Sequence, residues 1–394
     1  MNKRFLLILT DLALGGVTTA AANFVNLLHL KGDTVDVLVM DETRNDCVEE
    51  RFAKDVRFFY LKGRDKLWNL GRPMINRQKN GVKKVLFLLL GIVKKLLNKR
   101  SLWVGFLFGK KIRFKGYDAV FAYRQCSPCY YFALNCVEAK KKLCFVHGDI
   151  DFMGDISTWD KYLPQFDSVM FVANAVRDGF ISRYPELSNK AKTLYNVFNE
   201  AEITEKAKRV CDLRFDVRKF NIITVSRIEA DMKGISRIPS LCNMLKDKYG
   251  DIFHWYVVGG GEDLEYCVAI SERQGTADVL SFLGAKENPY NYMSQADIMV
   301  FPTKTEAYGM VVVESMVVGV PVVSARYPAV DEAITQNVTG LVAEQSVESL
   351  FECICRVFDN KELQNAMRDA CSVYRYDNDR SYKQLMDVLD EIKG

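Results

Sequence analysis

Two glutamates and two cations stand out in the 394-residue chain for the chemistry that their types and spacing allow. In FPTKTEAYGMVVVESMVVGVP, residues 301–321, Glu306 and Glu314 enclose seven residues. The apolar run 296–301 reads as a buried strand, 302–305 as a turn, and Gly309 onward as a helix start. Glu306 then stands in the strand-to-helix loop, with Glu314 more than one turn deeper at about 100° per residue. The N–H groups around Tyr308, Gly309, Met310 and Val311 lack intrahelical partners, and such a helix start attracts anions. A phosphate or a hydroxyl-rich ligand fits both features. Upstream, SRIEADMKG at 226–234 follows the apolar run 222–225, which places Arg227 and Lys233 near a strand end with Gly234 behind them. Two fixed cations there can hold a diphosphate and offset the charge that grows as it leaves. Taken alone, the same residues also fit an amphipathic helix with solvated glutamates and two surface cations.

Other stretches carry weaker signals. The run 254–258 ends in Gly259, Gly260 and Gly261, and glycines at a strand end let backbone N–H groups approach a ligand. Gly15 and Gly16 follow the first apolar run. His147, one of three histidines, ends the run 142–146, where it could donate a hydrogen bond to a hydroxyl or be a satisfied structural group.

Together these stretches resemble the E-x7-E and Arg-x5-Lys-Gly motifs of the retaining nucleotide-sugar glycosyltransferases of family 4, which have the GT-B fold. The resemblance implies that Arg227 and Lys233 neutralise the departing nucleoside diphosphate. Glu306 would position sugar hydroxyls, Glu314 the ribose, and the N–H groups of Tyr308, Gly309, Met310 and Val311 the sugar and phosphate. Gly259 and Gly261 would form the donor loop, Phe282 and Leu283 would lie beside the nucleobase, Gly15 and Gly16 over the donor phosphate, and His147 would face the sugar. No cofactor and no metal is implied, because the nucleotide sugar is a substrate and no Asp-x-Asp triplet stands in a suitable loop. The likeness is densest over 222–342 and absent over about 44–115. Residues 194–199 depart from the family's usual interdomain turn, no Gly-Gly precedes Glu332, and Tyr308 stands where Phe is common.

The elements that must position these residues follow from the hydrophobic pattern. Apolar runs at 5–9, 34–40, 119–123, 142–146 and 168–172 alternate with helical patterns, and the C-terminal half repeats this at 221–226, 254–258, 279–283, 297–301 and 321–324. Such alternation predicts an α/β chain of two Rossmann-like domains with parallel sheets, facing across a cleft in the GT-B manner. The expected domains are 1–200, binding acceptor, and 201–377, binding donor. The resemblance implies that a last helix at about 378–394 packs back on the first domain.

Charge is lopsided: residues 1–200 hold 32 Lys and Arg against 20 Asp and Glu, and the remainder 22 against 30. The first half therefore suits an anionic partner. From Arg77 to Lys115 there are twelve basic residues and no acid, interleaved with apolar runs too short to span a bilayer. This pattern, with Lys83, Lys84, Lys94, Lys95 and Trp103, suits a helix or helical hairpin lying in an anionic membrane interface, and fits lipid better than nucleic acid. Eleven cysteines lack a regular framework, and Cys126-x-x-Cys129 has no second pair at zinc spacing, which reads as a reduced cytosolic protein. The expected activity is transfer of a sugar from a nucleotide-diphosphate donor, UDP-sugar favoured over GDP-sugar, to a membrane-associated saccharide or lipid-linked acceptor in surface-polysaccharide synthesis. The enzyme would sit peripherally on the cytoplasmic face of the cell membrane. The rival readings are a nucleotide-sugar epimerase or hydrolase of the same architecture and a non-catalytic partner subunit.

Overall fold

The computed structural model describes residues 2–391, apart from 14, 42–44, 63–80, 97–104, 106 and 149–159, and leaves the side chains of 81, 94–96 and 160 aside. Residues 1–172, 177–197 and 378–394 form one compact unit, and 173–176 with 198–377 form a second.

The first unit is built on seven parallel strands in the order β3-β2-β1-β4-β5-β6-β7. They are β1 (Arg4–Leu9), β2 (Thr34–Val39), β3 (Arg57–Tyr60), β4 (Phe114–Ala122), β5 (Val137–Val146), β6 (Ser168–Phe171) and β7 (Ala191–Thr193). Central strands of a parallel sheet are covered on both faces, so they read as continuous apolar runs, and Phe5 to Leu9 are almost wholly buried. Helix α1 (Gly16–Leu30) lays Phe24 on this sheet, against Phe121, Tyr123 and Phe145 at ring separations of 5.5, 6.0 and 5.9 Å. Two further helices of the unit are α2 (Gly81–Leu96) and α3 (Ser127–Cys136). The C-terminal helix Asn378–Glu391 contributes Leu385, Val388 and Leu389 to the same core, and Lys31 pairs with its Asp379 at 2.6 Å.

The second unit has six parallel strands in the order β10-β9-β8-β11-β12-β13. These are β8 (Phe220–Val225), β9 (Phe253–Val258), β10 (Leu280–Gly284), β11 (Ile298–Phe301), β12 (Val322–Ala325) and β13 (Gly340–Ala343). Its helices α4 (Ile238–Tyr249), α5 (Leu264–Arg273) and α6 (Met310–Val317) follow β8, β9 and β11. A polar thread ties the three middle strands: fully buried Trp255 donates its Nε1–H to Thr224 Oγ1 at 3.0 Å, and that hydroxyl donates to the Val300 carbonyl at 2.7 Å. Each buried polar atom along the thread thereby has a partner, as burial demands.

Both sheets keep the Rossmann order, in which the first strand is flanked by the second on one side and the fourth on the other. The chain direction of the connections reverses between these two strands. That reversal opens a crevice beyond the strand ends, at β1 and β4 in the first unit and at β8 and β11 in the second. Strands β3, β7 and β13, which no apolar run marked out, are edge strands of three or four residues, bonded on one side only. The polar tail after 373 forms a single helix among the described residues.

Candidate active site

In the second unit the crevice at β8 and β11 gathers the charged residues. Beyond β8, Ser226 and Arg227 open a loop that closes at Gly234, whose left-handed backbone (φ 66°) suits glycine. A Cβ on Gly234 would stand 1.9 Å from the Pro302 carbonyl oxygen, so only glycine lets this loop lie against the end of β11. Two further bonds close that approach, from Lys304 N–H and from Thr303 Oγ1, both to the Met232 carbonyl at 3.0 and 3.1 Å. The result is an ion pair between residues 73 positions apart: Lys233 Nζ meets Glu306 Oε2 at 2.7 Å, with side chains 16% and 25% exposed. Arg227 is held otherwise. Its guanidinium is 70% exposed and pairs with Glu229 at 3.0 Å.

The glycine run after β9 supports the Arg227 loop from beneath. A Cβ on Gly259 would fall 1.8 Å from the Ser226 carbonyl oxygen, and one on Gly261 2.1 Å from that of Ile228. Gly259 donates its N–H to the Gly284 carbonyl at 2.9 Å, so the expectation of an N–H offered to a ligand is replaced there by close backbone packing. Phe282 and Leu283 lie half-buried at the end of β10, beside a register shift. Helix α6 starts at Gly309 (φ 78°), with Tyr308 buried and Met310 and Val311 half-buried. The buried Tyr327 hydroxyl donates to the Tyr308 carbonyl at 3.0 Å and fixes that turn.

Glu314, half-buried on α6, accepts a bond from Tyr290 Oη at 3.3 Å. Burial pushes its carboxyl up to about 7, opposed by the Tyr290 bond and the Lys206 charge. Tyr290 went unremarked in the sequence because nothing in a separation of 24 residues signals the contact.

In the first unit, the crevice beyond β1 and β4 presents Gly15 and Gly16, both exposed, with open space around each Cα. His147 follows β5 on the α1 face, its ring 4.5 Å from that of Tyr123 and stacked on Phe145 at 5.7 Å. Its backbone N–H donates to Gln125 Oε1 at 2.5 Å. Burial holds the ring down to about 3, so it is neutral. The ring also bonds the Tyr123 backbone, while Nε2 is enclosed with no hydrogen-bond partner among the described residues.

Of the membrane candidates, Lys83 and Lys84 are exposed on α2. Lys94 and Lys95 belong to the same helix with side chains outside the described residues, and Trp103 lies outside them altogether. Val82, Val85, Leu86, Leu89 and Ile92 recur at helical spacing and are each more than half exposed. No helix among the described residues is long and apolar enough to cross a membrane.

Residues 207–372 match the family described as Glycosyl transferases group 1. The amylovoran biosynthesis glycosyltransferase AmsK of Erwinia amylovora is 28% identical over 185 residues, which cover 43% of this chain and 44% of AmsK. The chain thus spans less than half the length of that relative. The N-acetyl-alpha-D-glucosaminyl L-malate synthase of Bacillus anthracis is 21% identical over 65% of this chain and 68% of its own. HepE of Anabaena, solved in complex with UDP and glucose, superimposes with a TM-score of 0.69 at 15% identity, over 99% of this chain and 100% of HepE. The whole chain thus shares the fold of HepE, and residues 207–372, within the second unit, are similar to group 1 glycosyl transferases.

The raised carboxyl of Glu314 yields a pH signature if ribose hydroxyls donate to it, because only the ionised form accepts both. Affinity for UDP should fall as pH drops through about 7, by up to roughly tenfold per unit below it. The comparison with Glu314→Gln cancels the ionisation of UDP itself. Calorimetric profiles of the two proteins that run parallel from about pH 6 to 8 would contradict the assignment.

Proposed function

We propose that the chain is a retaining, metal-independent hexosyltransferase. It moves a sugar from a UDP-sugar, favoured over a GDP-sugar, to a membrane-associated saccharide or lipid-linked acceptor in surface-polysaccharide biosynthesis. The observation that carries this reading is the Lys233–Glu306 pair at 2.7 Å in the Rossmann crevice of the unit that matches group 1 glycosyltransferases. HepE, with the same fold, was solved with UDP and glucose, and AmsK is named for amylovoran biosynthesis.

In this mechanism the bond between the sugar's anomeric carbon and the diphosphate breaks, and negative charge gathers on the leaving oxygens. Lys233 and Arg227 face that charge, which preorganised cations stabilise without reorganising. Glu306 accepts from sugar hydroxyls while balancing Lys233, a half-buried cation that needs a carboxylate partner. The acceptor hydroxyl attacks from the side the diphosphate leaves. Its proton passes to the leaving phosphate oxygen, and the anomeric configuration is retained. Glu314 holds the ribose, and His147 faces the transferred sugar. An epimerase or hydrolase would instead release its product with no acceptor.

The acceptor side of the proposal draws on α2. A stripe of exposed apolar residues flanked by exposed Lys83 and Lys84 complements an anionic lipid surface on the cytoplasmic face of the membrane. Each basic residue near such a surface contributes on the order of 1 kcal/mol, screened by salt, and the apolar stripe adds a part that salt does not remove.

With a UDP-sugar and a lipid-linked acceptor, product NMR should show the donor's anomeric configuration. Lys233→Ala should lower kcat by about two orders of magnitude, the scale of losing one preorganised charge contact. An inverted product, or near-wild-type turnover in the variant, would remove these residues from the mechanism. Separately, changing Lys83, Lys84, Lys94 and Lys95 to Glu should release the protein from anionic liposomes at low salt while UDP binding persists. Equal, negligible sedimentation of the wild type with anionic and neutral liposomes would leave the lipid acceptor without support.

A further inference from the structure

One motif remains outside the transferase chemistry. Cys126-Ser127-Pro128-Cys129 begins at the N-cap of α3, a ten-residue helix that starts where β4 ends. Cys126 sits in extended backbone, half-exposed, with its carbonyl accepting the Tyr130 N–H at 3.1 Å. Cys129 is one helical turn on and fully buried, its S–H directed at Met40 Sδ at 3.4 Å. Burial pushes the Cys129 thiol well up, and the neighbouring Cys126 raises it further. None of the eleven cysteines is in a disulfide, and this pair joins two cysteines one helical turn apart, a helix start and one partly accessible member. A helix start favours negative charge, and the thiolate is the attacking form of a cysteine.

We propose that Cys126 and Cys129 form a dithiol–disulfide site that reacts with low-molecular-weight disulfides. The half-exposed Cys126 thiolate attacks one sulfur of the small disulfide, forming a mixed disulfide and expelling one thiolate, which takes up a proton. Cys129 then gives its proton to solvent and attacks the Cys126 sulfur, forming the intrachain bond and expelling the second small thiol. Two electrons pass from the protein to the small disulfide, and two small thiols are released.

The pair is wired to the first unit's crevice. Cys126 donates its N–H to the Arg124 carbonyl at 2.9 Å, and Arg124 in turn bonds Thr10 at 3.2 Å and faces Asp11 at 3.8 Å. Between them, Gln125 holds the His147 backbone N–H at 2.5 Å. A covalent bond at Cys126 therefore acts on the turn that seats His147, so oxidation lowers sugar transfer. That consequence rests on the role given to His147 above, whereas formation of the disulfide does not.

Equilibration of the folded protein with excess oxidised glutathione, followed by alkylation and peptide mapping, tests the site without reference to transfer. The expected result is a Cys126–Cys129 peptide lighter by two hydrogens and closed to alkylation until reduced. Cys129→Ser should stall with glutathione on Cys126, and Cys126→Ser should leave Cys129 unmodified. Recovery of Cys126 and Cys129 both as free, alkylated thiols in the wild type would overturn the proposal, as would a persistent mixed disulfide there. The wild-type map decides the matter if the buried serine variant fails to fold. Transfer that is unchanged in protein mapped as oxidised would sever the link to His147 while leaving the disulfide site in place.

Discussion

The candidate site depends on backbone passing closer to backbone than a side chain permits. Gly234 against Pro302, Gly259 against Ser226 and Gly261 against Ile228 each leave less than 2.2 Å between a would-be Cβ and a carbonyl oxygen. Any other residue at these three places forces the loops apart. Because the loops after β8, β9 and β11 nest in this way, Lys233 and Glu306 come within 2.7 Å although they lie 73 positions apart. The Rossmann strand order supplies the crevice, and the glycines determine what stands in it. Charge then follows from packing: a half-buried lysine stays there because a carboxylate meets it.

The first unit solves a different problem with aromatic rings. Phe121 of β4 and Tyr123 just beyond it share a face with Phe145 of β5 and His147 just beyond it, and Phe24 of α1 packs on Phe121, Tyr123 and Phe145. Burial in this apolar column holds the His147 ring in its neutral form. The same turn, Arg124 to Cys126, carries both the glutamine that seats His147 and the first cysteine of the dithiol pair.

Much of this was legible in the sequence because parallel strands buried on both faces announce themselves as apolar runs. Ten such runs became strands, each shifted by only a few residues at its ends. The edge strands β3, β7 and β13 escaped notice because they are short and half-satisfied. Motif spacing singled out Arg227, Lys233, Glu306 and Glu314, but could not say that Lys233 would meet Glu306 while Arg227 turned to Glu229. Nor could it show that the Gly259 N–H is spent on Gly284, that His147 Nε2 is enclosed, or that Tyr290 reaches Glu314. These are outcomes of long-range packing, which local pattern does not encode.

The central claim is that the nested loops of the second unit bind the donor diphosphate. Hydrogen–deuterium exchange with and without saturating UDP tests it most directly, since a bound ligand slows the opening of the backbone it contacts. The account predicts slowed exchange concentrated in 226–237, 259–264, 281–290 and 303–314, and its loss in Lys233→Ala at the same UDP concentration. Protection absent from these four segments, or unchanged by that substitution, would contradict it.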